Sequence, residues 1–210
     1  MGTTGSNIAD FLLQIQAVKL QPKQPFKWAS GWNSPIYCDN RITLSHPRIR
    51  TYIRQELVKV IDEKFGTPDV IAGVATGAIA HGVLVAEAMG LPFVYIRAAA
   101  KDHGRQNLIE GEISSNQTCV VIEDLISTGQ SSLKAVQALR DRGVLVKGMI
   151  SIFSYGFDVA NEAFRQANCP LYSLSNYDLL IEQALKNGYV KTVDLESLHK
   201  WRENPSGWNI

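Results

Sequence analysis

The apolar run Val120, Val121 and Ile122 meets two adjacent carboxylates, Glu123 and Asp124, and after Leu125 and Ile126 come Ser127, Thr128, Gly129, Gln130, Ser131 and Ser132. Leu133, Val136 and Leu139 then recur at helical spacing. No other stretch constrains the fold as much as this order of strand, acidic pair at the strand's end, small-residue loop and helix. The apolar run reads as a buried parallel strand. A small-residue loop opening a helix aims several backbone N–H groups one way, and the helix dipole adds partial positive charge there, which makes an anion site suited to a phosphate. The acidic pair can accept hydrogen bonds from hydroxyls beside it. Phosphate next to a diol describes a ribose phosphate.

The rest of the chain extends the same pattern. A short amphipathic helix is expected over 8–15. Pro22, Pro25 and Pro35 among Trp28 and Trp32 predict turns and short strands. Ser45 and Pro47 open a helix that runs to about Lys64, with Gly66 as its stop. Strands follow at 70–74, 93–96 and 144–153, with a helix over 80–89 and a final helix–turn–helix from about Leu179. Strands alternating with helices predict a parallel sheet. Residues 98–118 are mostly polar without clear period, and a loop that long in a compact domain is usually functional or disordered.

At 210 residues the chain suits one domain, and 45% apolar residues support a sizeable core. A formal charge of +1 advertises no basic face for nucleic acid. Cys38, Cys119 and Cys169 are odd in number and widely spaced, which argues against a disulfide framework or zinc site and suits a reducing cytoplasm. No apolar run approaches the roughly 20 residues of a membrane helix. Residues 1–6 fit the loose myristoylation pattern, but they read better as a disordered polar tail.

Each candidate feature also has a bland interpretation. Glu123 and Asp124 could be a solvated turn, or a magnesium-binding pair of the kind that accompanies a G-x-x-x-x-G-K-[ST] loop, which this chain lacks. Neighbouring strand residues face opposite ways, so both acids are expected to reach one ribose only if the chain leaves strand geometry there. Residues 127–132 could be a helix cap, which is compatible with an anion site. Ala75, Thr76, Gly77 and Ala78 could be only a tight turn, and Arg97, Lys101, His103 and Arg105 only a solvated loop. His81 reads as structural or surface.

The acidic-pair stretch resembles the phosphoribosyl-pyrophosphate (PRPP) motif of type I phosphoribosyltransferases. Arg97 followed by Lys101, Asp102, His103 and Gly104 resembles the mobile catalytic loop of the orotate phosphoribosyltransferases, and 26–40, with Ser34, Pro35, Ile36 and Tyr37, resembles their N-terminal block. The resemblance runs from about Phe11 to the C-terminal helix. It implies an α/β chain with the type I phosphoribosyltransferase fold, a central parallel sheet flanked by helices, forming a single domain with a core over about 46–170 and a small N-terminal hood from about 1–45 plus the C-terminal segment. It also implies transfer of ribose-5-phosphate from PRPP to orotate, with Mg2+ held mainly by PRPP and water, no protein metal ligands, and a homodimer with shared sites.

Carried over residue by residue, the resemblance assigns PRPP binding to Arg97, Lys101, His103, Glu123, Asp124, Leu125, Ile126, Ser127, Thr128, Gly129, Gln130 and Ser131. It assigns catalysis to Lys101, His103 and Asp124, the pyrophosphate loop to Ala75, Thr76, Gly77 and Ala78, and orotate contacts to Ser127 and Lys27. The sequence departs from the pattern in three places. Gly77 and Ala29 stand where some branches carry lysine, and Ser154-Tyr155-Gly156-Phe157 stands where some carry an arginine for the orotate carboxylate. Backbone N–H groups of the N-terminal block are the expected replacement for that arginine. The alternatives are a purine phosphoribosyltransferase, which would lack the Lys101–Gly104 loop, and a non-catalytic PRPP-sensing regulator, which would need a nucleic-acid face.

Overall fold

The computed structural model describes residues 2–28, 31–98 and 108–208. Its centre is a six-stranded sheet of β5 (Val70–Val74), β6 (Phe93–Ile96), β7 (Ile109–Glu110), β8 (Thr118–Ile126), β9 (Leu145–Ser154) and β10 (Leu171–Asn176), in the order β10-β9-β8-β5-β6-β7. Five strands are parallel, and the edge strand β7 runs antiparallel to β6. All five residues of β5 are buried, as are Cys119 to Glu123 in β8. Such uninterrupted burial needs cover on both faces. On one face Ile71, Val120, Ile122, Ile150 and Ile152 pack with α2 (Pro47–Phe65) and α3 (Ile79–Met89). On the other Ala72, Val121 and Met149 pack with α4 (Gln130–Asp141) and α5 (Asp158–Gln166).

A hood sits over the carboxyl ends of the central strands. It contains α1 (Gly2–Gln14), the antiparallel pair β1 (Val18–Leu20) and β4 (Ile36–Cys38), the pair β2 (Phe26–Lys27) and β3 (Asn33–Ser34), and a 3-10 turn at Asn40–Ser45. The C-terminal α6 (Tyr177–Lys186) packs on α1, and α7 (Leu195–Glu203) reaches the N-terminal block through Trp201. Trp201 Nε1 donates to Asn33 O at 3.2 Å, and its ring meets Trp28 edge-on at 5.6 Å.

Four sequence expectations need correction. Residues 2–6 are not a disordered tail but the first turns of α1, tied down where Ser175 Oγ donates to the Gly5 carbonyl at 2.8 Å and Thr4 Oγ1 to Glu56 at 3.0 Å. The strand of the acidic pair does not end there: β8 continues to Ile126. The polar stretch is not structureless throughout, because β7 pairs with β6 and buries Ile109. The sheet also extends past residue 170 through β10, which with α5 escaped the reading of the sequence. The three cysteines are free, and no helix among the described residues is long and apolar enough to cross a membrane.

Candidate active site

From β5 the chain crosses to β6 on one side, and from β8 it crosses to β9 on the other. The neighbouring carboxyl ends of β5 and β8 therefore flank a topological switch point, where open α/β sheets bind ligands. A cleft of about 860 Å³ lies there. Ala75, Thr76 and Gly77 after β5, Glu123, Asp124 and Leu125 on β8, Ser131 on α4, and Arg97 after β6 all line it. A second pocket of about 460 Å³ adjoins it, lined by Lys27, Trp28, Trp32, Tyr37, Ser127, Thr128 and Tyr155. Cys38 and Leu125 border both.

The acidic pair reaches the cleft without leaving strand geometry, contrary to expectation. Glu123 is buried beneath the start of α4: its Oε2 accepts from Ser132 Oγ at 2.8 Å and its Oε1 from the Asp124 N–H at 3.0 Å. Asp124 is more open and lies against Gly77 on the hood side. The cleft straddles the sheet's carboxyl edge, so residues from both faces border it. Burial, and then the charge of Asp124, push the Glu123 carboxyl up to about 8. Glu123 thus keeps its proton near neutral pH.

No side chain caps the start of α4. The cap position is Gly129, with φ 77°, and a Cβ there would sit 2.8 Å from Phe164. A side chain is therefore excluded by conformation and by space, and the loop leaves its N–H groups to a ligand.

A buried polar chain braces the pair from the hood. Asn40 Nδ2 donates to the Asp124 carbonyl at 2.6 Å, Thr43 Oγ1 donates to the Asn40 carbonyl at 2.5 Å, and His81 Nε2 lies 3.1 Å from Thr43 Oγ1. With the threonine proton committed to Asn40, Nε2 carries the imidazole proton. Burial lowers the His81 pKa to about 4, so the ring is neutral and structural.

Not every expected residue lines a pocket. Ile126 and Ala78 are fully buried in the core, so their side chains are unavailable to a ligand. Gly129 is buried, and Gln130 is exposed outside both pockets. Ser127 and Thr128 border the smaller pocket rather than the cleft. Lys101, His103 and Arg105 lie outside the described residues. Arg97 Nη1 lies 3.6 Å from Glu110, an ion pair too long to be a hydrogen bond.

The cleft also holds residues that the sequence did not single out. Arg41 makes paired hydrogen bonds of 2.7 and 2.9 Å to Asp39, and these hold the Asp39 carboxyl below its usual range. Lys134 follows Ser131 at i+3 on α4, a spacing that puts both on one helix face. The Asp39-Asn40-Arg41 run was visible as polar residues after an apolar strand, but only the fold carries it to β8. Among the described residues, no group of three or more His, Cys, Asp or Glu could hold a metal.

Residues 43–171 match the phosphoribosyl transferase domain family. The chain is 54% identical to the orotate phosphoribosyltransferase of Porphyromonas gingivalis over 210 residues, covering all of both chains. It is 55% identical to that of Cytophaga hutchinsonii over 201 residues, or 96% of each. The chain belongs to the orotate phosphoribosyltransferase family. A solved orotate phosphoribosyltransferase from Aeropyrum pernix superposes with a TM-score of 0.77 at 26% identity, covering 88% of this chain and 99% of that one. The segment matched to the phosphoribosyl transferase domain takes in β5 to β9, the part of the sheet that carries the cleft.

Proposed function

We propose that the chain transfers ribose-5-phosphate from PRPP to N1 of orotate, giving orotidine 5′-monophosphate and pyrophosphate in pyrimidine nucleotide synthesis. The observation that carries this is the meeting of the two pockets at Cys38 and Leu125. An acid- and cation-lined cleft suits a sugar phosphate, and an aromatic pocket opens beside it for a planar base.

Breaking the bond from C1 of the ribose to the pyrophosphate oxygen leaves positive charge on the sugar and negative charge on the leaving group. Asp124 and Glu123 would hold the ribose hydroxyls, with Asp124 the more open of the two toward the electron-poor sugar. The N–H groups of 127–131 would take the 5′-phosphate, including backbone contributions from Gly129 and Gln130. The exposed backbone of Ala75, Thr76 and Gly77 would approach the pyrophosphate, with Arg97, Lys101 and His103 neutralising it. Lys27 and Ser127 would contact orotate. Mg2+, bound through PRPP oxygens and water, would offset further pyrophosphate charge, and the oxygen-rich lining of the cleft suits a hydrated hard cation. By the same resemblance the chain forms a homodimer whose loop cations serve the neighbouring cleft.

Purified protein given PRPP, Mg2+ and orotate should consume orotate absorbance with stoichiometric release of pyrophosphate. Absorbance that stays constant under these conditions refutes the assignment.

A further inference from the structure

Tyr155 follows the last residue of β9 and is anchored to the motif strand, its N–H donating to the Ile126 carbonyl at 3.0 Å. Its ring is held on several sides. Phe157 stacks on it at 5.5 Å, Phe153 and Trp201 meet it edge-on at 5.6 and 5.7 Å, and Trp28 tilts against it at 5.2 Å. Only 2% of the residue is exposed, yet it lines the 460 Å³ pocket.

The hydroxyl makes no hydrogen bond among the described residues. Its neighbour in the same aromatic cluster behaves differently: Tyr177 Oη donates to the Leu198 carbonyl at 3.1 Å. The oxygen is not sealed off from solvent, so a ligand or water in the pocket can complete it. Burial, and then the proximity of Cys38, raise the phenol well above its ordinary value. The group therefore keeps its proton, and as a residue lining the pocket it can donate there. Cys38 and Tyr37, which also act on it, line the same pocket.

We propose that the Tyr155 hydroxyl is a specificity-determining donor, reserved for an acceptor oxygen at the edge of the planar base bound in this pocket. The proposal rests on the transferase reading above, with orotate as that base. An anionic base with carbonyl and carboxylate oxygens offers such an acceptor, and the rigid cage fixes the hydroxyl so that little side-chain entropy is lost on binding.

Tyr155→Phe in the full chain keeps every ring contact and removes only the oxygen. Steady-state kinetics should show the KM for orotate rising about tenfold or more, the usual effect of losing a hydrogen bond to a charged ligand. The KM for PRPP and the melting temperature should stay at wild-type values. An unchanged orotate KM beside an active wild type would overturn the role of Tyr155 and leave the transferase reading intact. A lower melting temperature with both KM values raised would show that the hydroxyl serves the fold, and would overturn it too. A wild type inactive on orotate removes both proposals.

Discussion

Gly77 and Asp124 are in such close apposition that a Cβ on Gly77 would overlap the Asp124 carboxylate. A side chain in place of this glycine, which stands where some family branches carry lysine, would displace that carboxylate. The apposition brings the loop after β5 and the acidic residue of β8 to the same point of the cleft.

Gly77→Ala is expected to displace the Asp124 carboxylate while leaving the core intact. Overpacking a rigid site costs about 1–3 kcal/mol, but this carboxylate can swing into the cleft, so the apo melting temperature should change little. Thermal stabilisation by Mg-PRPP should largely disappear. Stabilisation equal to that of wild type would show that the contact does not govern PRPP binding.

Glu123 makes stability depend on pH. Folded, it keeps its proton up to about pH 8; its ordinary value is 4.5. Between those values the folded chain binds more protons than the unfolded one, so this contribution is full below pH 4.5 and is lost as pH rises through 8. Glu123→Gln cannot lose that proton. The melting temperature of wild type minus that of the variant should therefore fall from pH 5 to about pH 8 and level off above it. A difference that stays constant over this range would place the Glu123 proton elsewhere.

Asn40→Ala removes the donor to the Asp124 carbonyl and disturbs the Thr43–His81 chain behind it. Leaving a buried acceptor unpaired costs about 1–3 kcal/mol. Urea denaturation should register a loss of that size, and a loss of less than about 0.5 kcal/mol would mean that water replaces the amide.

Loop sharing between subunits predicts complementation. Lys101→Ala and Asp124→Asn are each expected to be inactive, Lys101 acting on the leaving group and Asp124 on the ribose. In a two-fold dimer with exchanged loops, a mixed pair gathers both lesions in one site and leaves the other whole. Unfolding an equal mixture and refolding it should restore about a quarter of wild-type activity. Mixed dimers confirmed by mass but without activity would mean that each subunit uses its own loop.

The sequence by itself determined the alternation of strands and helices, the acidic-pair motif, the small-residue turn at 75–78 and the aromatic N-terminal block, because each is a local pattern of apolar period, turn chemistry or charge. Tertiary structure alone decided what those pieces do to one another. The extent of β8 beyond Asp124 followed from pairing with β9, since Leu125 and Ile126 are opposite Phe153 and Ser154. The order of residues 2–6 came from packing on β10 and α6, which no local signal in a polar segment announces. The Asn40 brace spans 84 residues and the Trp201–Asn33 bond 168. The raised Glu123 pKa required both burial and the neighbouring charge. Sequence pattern fixes which backbone conformations are favoured locally. Which polar groups meet across a sheet edge, and which are left waiting for a ligand, is set by contacts between residues far apart in the chain.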